Sequence, residues 1–129
     1  MKYTEDVLLR RPCHLALCLD ETSYLREMRR LKIASPSAFV IDGKSATMHW
    51  FDGKEGKDDL AIVCVDMHRL RECTGTQIAA VLVHEAVHVW QGVCEVMGEE
   101  SPSREFEAYS IQRISQDLMW LFTELTGKV

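Results

Sequence analysis

The sequence predicts a small α+β fold in which the strands of a mixed β-sheet come early in the chain and two long helices come after them. Short apolar runs bounded by turn residues occupy the first half of the chain, and two long segments with helix-capping residues occupy the second half. The length of 129 residues and the hydrophobic content of 47% suit one core. We therefore expect a single domain over residues 1–129.

The first two predicted elements are a strand and a helix. Leu15–Leu19 is an apolar run, which is typical of a short strand. Asp20 follows it and can cap a helix that has acidic character in its first turn. We expect this N-terminal helix to extend to about Leu31 and to end before the loop that contains Pro36.

Three further strands are expected in the middle of the chain. Residues 38–41 and 46–51 are β-prone, and the Asp42-Gly43 pair between them favours the turn of a hairpin. The continuous apolar run Leu60–Val65 is suited to an inner strand of the sheet.

The last two predicted elements are long helices. Thr74 and Gln77 have the spacing of a capping box, and the apolar stretch that follows continues to Gly98, a favourable C-terminal stop. Ser101 is expected to cap the final helix with Pro102 at its first position.

Composition argues against several classes of partner. The net charge is -5 and no run of Lys or Arg exceeds a pair, so no nucleic-acid partner is expected. Residues 1–6 are polar and acidic, unlike a secretory signal, and no apolar stretch approaches the ~20 residues that cross a bilayer. The five cysteines form no CxxC pair, which favours free thiols in a reducing compartment. We therefore expect a cytoplasmic protein without a membrane partner.

The segment His84-Glu85-Ala86-Val87-His88 carries the chemistry of a zinc site. Residues four apart lie on the same face of a helix, so His84 and His88 can both present ring nitrogens to one metal ion. Glu85 lies about 100° around the helix, where it suits a general base instead of a ligand. Gln77, Gln91 and Glu95 share the histidine edge of a helix that is otherwise largely apolar, as expected of a helix that lines a cleft.

A third protein ligand is expected, because a catalytic zinc ion usually takes three and leaves a fourth position for water. The start of the final helix offers Glu105 and Glu107. Projection at ~100° per residue places Glu107 within the apolar stripe of that helix and Glu105 on its polar side. Periodicity therefore favours Glu107, because a carboxylate that faces the core needs a partner.

Together, the two segments resemble the gluzincin branch of the zincin metallopeptidases, in which an HExxH helix is followed by a helix that carries Glu-x-x-x-Asp. Glu105-Phe106-Glu107-Ala108-Tyr109 is similar to that second motif, with Tyr109 in place of the family's Asp or Asn. The resemblance covers about residues 74–112. It implies a zincin-like fold, one Zn²⁺ ion, and Glu105 as the third ligand, with Glu107 in its place as the alternative.

The resemblance also implies an activity and a setting. The implied activity is zinc-dependent hydrolysis of peptide bonds in a peptide or protein substrate, with Glu85 as the general base and an exposed strand edge as the substrate platform. Tyr109 is a possible oxyanion donor, and His49 and His68 are further candidates. The run Val87–Gln91 resembles small zincin-like proteins of phage and prophage genomes, which implies a bacterial or phage-infected host cell.

Two other functions stay open at this point. The first is a zinc-binding regulatory or interaction protein that has a zincin fold and no proteolytic activity. The second is a metal-dependent hydrolase that acts on a non-peptide amide. The oligomeric state and the substrate are not indicated by any residue pattern.

Overall fold

A computed structural model describes Met1 and residues 10–127. Residues 2–9, which include most of the polar start that argued against an export signal, lie outside the described part. The order of elements is β1 (Cys13–Cys18), α1 (Glu21–Arg30), β2 (Ala46–Phe51), β3 (Asp59–Val65), α2 (Gly75–Met97) and α3 (Arg104–Thr126). The predicted α+β fold with a mixed sheet is confirmed. Between residues 10 and 127, no helix has both the length and the apolar composition that crossing a bilayer requires.

The sheet has the strand order β1-β3-β2. β1 pairs with β3 in parallel and β2 pairs with it in antiparallel orientation, so β3 is the inner strand, as its apolar sequence predicted. Ala61, Val63 and Val65 pack into the cluster formed with α2 and α3, whereas Ile62 and Cys64 pack into the cluster formed with α1. Successive side chains of a strand point to opposite faces, so a run buried on both faces must be apolar throughout.

The hairpin expected over residues 38–51 forms only in part. The Asp42-Gly43 turn is present, with Gly43 in the left-handed region at φ +83° and a hydrogen bond from Lys44 N to Ile41 O of 2.9 Å. Residues 38–41, however, are not a strand. The prediction of a strand there was wrong, and the described sheet has three strands instead of four.

Side chains of β2, and not a backbone ladder, bind residues 38–41 to the sheet. The ring of His49 makes a hydrogen bond to Phe39 O at 2.9 Å, and the hydroxyl of Thr47 accepts one from Ile41 N at 2.9 Å. Among the described residues, no backbone hydrogen bond joins β2 to any segment except β3. β2 is therefore an edge strand with an open outer edge.

The ends of α2 are those that the sequence predicts. Thr74 accepts a hydrogen bond from Gln77 N at 3.2 Å, and the Gln77 side chain accepts one from Thr74 N at 2.8 Å, which completes the capping box. Gly98 ends the helix in the left-handed conformation at φ 69°. Reciprocal capping and a glycine stop together fix the register of the helix.

The start of α3 lies two residues later than expected. Ser103, and not Ser101, is the N-cap, and its hydroxyl accepts a hydrogen bond from Phe106 N at 3.4 Å. This start places Glu105 and Glu107 in the first turn, beside the positive end of the helix dipole. The prediction of Ser101 as the cap and Pro102 as the first helical residue was wrong, because the hydroxyl that caps the helix is that of Ser103.

Candidate metal centre

A groove of about 1070 Å³ lies between α2 and the edge strand β2. One wall is the polar side of α2, and the other is β2 together with the turn that precedes it. The side chains that bring charge or hydrogen-bonding groups to the groove are Lys44, Ser45, Thr47, Trp50, Asp52, His84, Glu85, His88, Gln91 and Glu95. The three residues of the HExxH segment that the sequence singled out therefore line one cavity.

The two histidines have the separation that a shared metal ion requires. The ring centroids of His84 and His88 lie 5.0 Å apart with an interplanar angle of 75°, and both side chains are exposed to the groove. Two imidazoles that bind one tetrahedral zinc ion at the usual Zn–N distance have centroids about 5 Å apart. The spacing of the two rings is therefore compatible with a shared zinc ion.

Gln91 fixes the ring of His88. Its side-chain Oε1 lies 2.9 Å from His88 Nδ1. A carbonyl oxygen can only accept, so this hydrogen bond forms when Nδ1 carries the proton, and that tautomer leaves the lone pair on Nε2 for a metal. Histidine ligands usually have such a partner on the second ring nitrogen, because it sets the tautomer and the orientation of the ring.

Glu85 is a buried carboxylate that lacks a full set of partners. It is only 5% exposed, and its Oε2 atom has no hydrogen-bond partner among the described residues. Burial of an unpaired carboxylate is expensive, so a residue selected only for packing would not be an acid here. The fold therefore keeps a polar group beside the histidines at a cost in stability.

The surroundings of Glu85 act on its pKa in two directions. Burial is the largest influence and raises the pKa, because it disfavours the charged form. Electrostatic interactions with His88 and His84, followed by those with His49 and Lys44, lower it. A carboxyl group with a raised pKa beside a cleft is suited to accept a proton and release it again.

The glutamates of α3 are not brought to the histidines. The Glu107 carboxylate accepts a hydrogen bond of 3.0 Å from Trp90 Nε1. Trp90 follows His88 by two positions, about 200° around the helix, so Glu107 lies on the opposite side of α2 from His88. Glu105 is exposed and, like Glu107, does not line the groove.

Packing explains the position of α3. Val93 and Trp90 of α2 belong to the core cluster that also contains Ile114 and Leu118 of α3, and the Trp90 ring packs edge-on against Phe106. The helices thus meet on the apolar side of α2. Within residues 10–127, no group of three or more His, Cys, Asp or Glu side chains is arranged to hold a metal ion. Of the residues that the sequence predicts as ligands, only His84 and His88 lie together in the described structure.

The candidate oxyanion donors also lie apart from the histidines. Tyr109 is 66% exposed on α3 and does not line the groove. His49 is stacked on Tyr24 of α1, with its Nε2 hydrogen-bonded to Phe39 O. His68 is exposed in the turn after β3. None of the three lines the groove.

Trp50 closes part of the groove against α2. Its indole Nε1 donates a hydrogen bond to Asp59 at 2.9 Å, and its ring lies against Gly92, where an added Cβ would be 2.5 Å from the ring. Only glycine at position 92 leaves space for this contact. Hydrogen bonds from Gly53 N and from Trp50 lower the pKa of Asp59, so its carboxylate stays ionised and holds the ring in place.

Two features of the site were not assigned a role from the sequence. Gln91 was placed on the cleft edge, but its contact with His88 was not foreseen, although its position three residues after a ligand histidine is the signal that could have revealed it. Lys44 and Trp50 line the groove because the fold brings β2 and its preceding turn beside α2, and no spacing in the sequence relates them to that helix.

Comparisons of the chain with protein-family models, with curated proteins and with solved structures gave no match.

Proposed function

We propose that the groove is the active site of a zinc-dependent peptidase in which His84 and His88 hold one Zn²⁺ ion and Glu85 is the general base. The observation that carries the proposal is the buried Glu85 carboxylate, whose Oε2 is unpartnered among the described residues beside a histidine pair with ligand spacing. A buried carboxylate oxygen without a partner is rare in folded proteins, and one that is kept beside a histidine pair is suited to a role in catalysis.

The chain's own residues account for the proton transfers of hydrolysis. A zinc ion, when bound, would polarise the scissile carbonyl and make water more acidic. Glu85 takes the proton of the attacking water and then gives it to the amine that leaves as the C–N bond breaks. Gln91 keeps the His88 ring in the tautomer that leaves Nε2 free to bind metal.

The edge strand β2 is the proposed platform for the substrate. β3 is paired on both sides, so it has no free edge, whereas the outer edge of β2 has no backbone partner among the described residues. An extended peptide can add to such an edge through main-chain hydrogen bonds. Because β2 forms a wall of the groove, a peptide added there would lie close to Glu85 and the histidines.

In this proposal α2 supplies two zinc ligands, and the identity of the third ligand stays a prediction from the sequence. The resemblance implies Glu105, and periodicity favours Glu107. With α3 on the Trp90 side of α2, neither carboxylate is near the histidines. A two-histidine site binds zinc more weakly than a three-ligand site, so the measured zinc affinity would indicate whether a third ligand is present.

A zinc-binding interaction protein without proteolytic activity is the second candidate. The position of Glu107 favours it, because this carboxylate is engaged with Trp90 on the far side of α2. The two candidates differ in their need for Glu85. A purely structural site gains nothing from a buried carboxylate, whereas a peptidase requires it.

The test combines zinc content with cleavage of a mixed peptide library by the wild type, Glu85→Gln and the control Glu99→Gln. Glu99 is exposed and lies outside the groove. We expect equal zinc in all three proteins and a loss of about 10²- to 10⁴-fold in the cleavage rate for Glu85→Gln alone. Zinc binding without cleavage by the wild type would reject the peptidase and favour the interaction protein.

A further inference from the structure

We infer that the groove selects its peptide by the order of charges, binding an extended segment that is positive on its amino-terminal side and negative on its carboxyl-terminal side. This inference rests on the proposed function, because it takes the groove to be the substrate site. It adds a substrate class that the zinc site alone does not specify.

The two walls of the groove run in the same direction. Near the start of β2, Lys44 is close enough to act electrostatically on Glu85 of α2. Near the end of β2, the Trp50 ring lies against Gly92, two turns further along α2. Residues later in β2 therefore lie beside residues later in α2, and the groove has a defined beginning and end.

The charges at the two ends have opposite sign. Lys44 lines the beginning, whereas Asp52 and Glu95 line the end. All three side chains are exposed, and none forms an ion pair with another described residue. Their charge is therefore available to a ligand.

Both walls of the groove also have apolar side chains, which lie beside the polar site residues of α2. They are Ala46 and Met48 from β2, and Ala80 and Val81 from α2. From Val81 to Glu95 the helical wall is about 20 Å long at the helical rise of 1.5 Å per residue. That length takes about six residues of extended peptide. A peptide that fills it would have apolar residues in the centre and charged residues only at its two ends.

The direction of the bound peptide follows from β2. An antiparallel ladder is slightly more stable per residue than a parallel one, so the peptide is expected to run opposite to β2. Its amino-terminal side then lies beside Asp52 and Glu95, and its carboxyl-terminal side lies beside Lys44. A peptide with the reverse order of charges would place like charges together at both ends, which is unfavourable.

The test uses two labelled peptides of the same composition around the same apolar centre, one with lysines before it and glutamates after it, the other reversed. Binding is measured by fluorescence anisotropy with zinc-loaded Glu85→Gln, so that the peptides stay intact. Exposed ion pairs are weak, so we expect the lysine-first peptide to bind about three- to tenfold more tightly. The preference should disappear at about 1 M salt, where the Debye length is about 3 Å.

A charge swap gives the matched comparison. Lys44→Glu combined with Asp52→Lys keeps the net charge and should reverse the preference. Lys57→Glu combined with Glu99→Lys also keeps the net charge, but these exposed residues lie outside the groove, so the preference should stay. Equal binding of the two peptides, or tighter binding of the glutamate-first peptide, would overturn the inference.

Cleavage by the wild type separates failure of this inference from failure of the proposed function. If both peptides are cleaved at equal rates, the order of charges is irrelevant and the peptidase stands. If neither peptide is bound or cleaved, and the peptide library is also untouched, the proposed function fails and the inference fails with it.

Discussion

Trp90 Nε1 donates a hydrogen bond of 3.0 Å to Glu107 on the side of α2 that faces away from His88. This bond joins the helix of the histidines to the helix that was expected to supply the third ligand, but it does so on the Trp90 side of α2, where Glu107 is exposed. It also gives the carboxylate of Glu107 a structural role, because the Trp90 side chain is buried and its N–H needs an acceptor.

Glu107→Ala is predicted to lower stability without changing zinc affinity. The substitution leaves the buried Trp90 N–H without its acceptor, which should lower the free energy of unfolding by about 1–2 kcal/mol. Urea denaturation measures this change, and zinc titration measures the affinity. Glu107→Gln is the matched control, because its amide oxygen can still accept the hydrogen bond.

Glu105→Ala tests the ligand that the resemblance implies. With α3 in its described position, zinc affinity should stay within about twofold of the wild type, since the carboxylate contributes no ligand. A large loss of affinity in Glu105→Ala would show that α3 moves to the metal. A large loss in Glu107→Ala at unchanged stability would likewise contradict the role assigned to that residue.

Glu85→Gln is predicted to stabilise the metal-free protein. The wild-type carboxylate is buried with an unpartnered Oε2, so removing its charge should raise the free energy of unfolding by about 1 kcal/mol. The measurement is urea denaturation in the presence of a chelator. Glu95→Gln, on the exposed edge of the same helix, should change the stability by less than about 0.5 kcal/mol. A destabilised Glu85→Gln variant would mean that the carboxylate has a structural partner.

Gly92→Ala is predicted to displace Trp50. The added methyl group would lie 2.5 Å from the indole ring, so the ring must move or the helix must shift, at a cost of about 1–3 kcal/mol. Thermal denaturation and the fluorescence of the indole report the change. Gly75→Ala is the control in the first turn of α2, where an added Cβ meets nothing within 4 Å. Equal stability of Gly92→Ala and the wild type would contradict the described contact.

Cys18 is predicted to be the most reactive thiol at neutral pH. It lies opposite Cys64 in the pairing of β1 with β3, and the neighbouring Cys64 thiol is the largest influence that lowers the pKa of Cys18 to about 7. Alkylation followed by peptide mapping should therefore show a midpoint near pH 7 for Cys18, with the rate rising as the thiolate forms. Cys64, which is fully buried, should stay unmodified.

Cys64→Ala removes the neighbouring thiol and serves as the comparison. The alkylation midpoint of Cys18 should then rise towards the usual thiol value of about 8.5. A midpoint that is the same in both proteins would show that the neighbouring thiol does not lower the pKa.

Local signals in the sequence predicted the elements that depend on local chemistry. The capping box of Thr74 and Gln77 and the stop at Gly98 set the ends of α2, and the apolar run before Asp66 identified the inner strand. The HExxH spacing likewise placed both histidines and Glu85 in one groove, because all three residues lie on a single helix that fixes their relative positions.

Relations between distant segments could not be predicted in this way. Residues 38–41 are β-prone, but Phe39 O makes a hydrogen bond with the ring of His49. No local pattern in the sequence reveals this contact. The side of α2 on which α3 packs depends on contacts such as that between Trp90 and Phe106. Periodicity predicted that Glu107 points into the core, but the residue is exposed, and its partner is the indole N–H of Trp90.

Zinc titration of chelator-treated protein tests whether the histidine pair of α2 binds zinc, with the wild type, His88→Ala and the control His68→Ala compared side by side. His68 is exposed and lies outside the groove. We expect one zinc ion per chain for the wild type and His68→Ala, and a loss of binding of at least about tenfold for His88→Ala. A wild type that binds no zinc, or a His88→Ala variant that binds it equally well, would contradict a zinc site at the histidine pair.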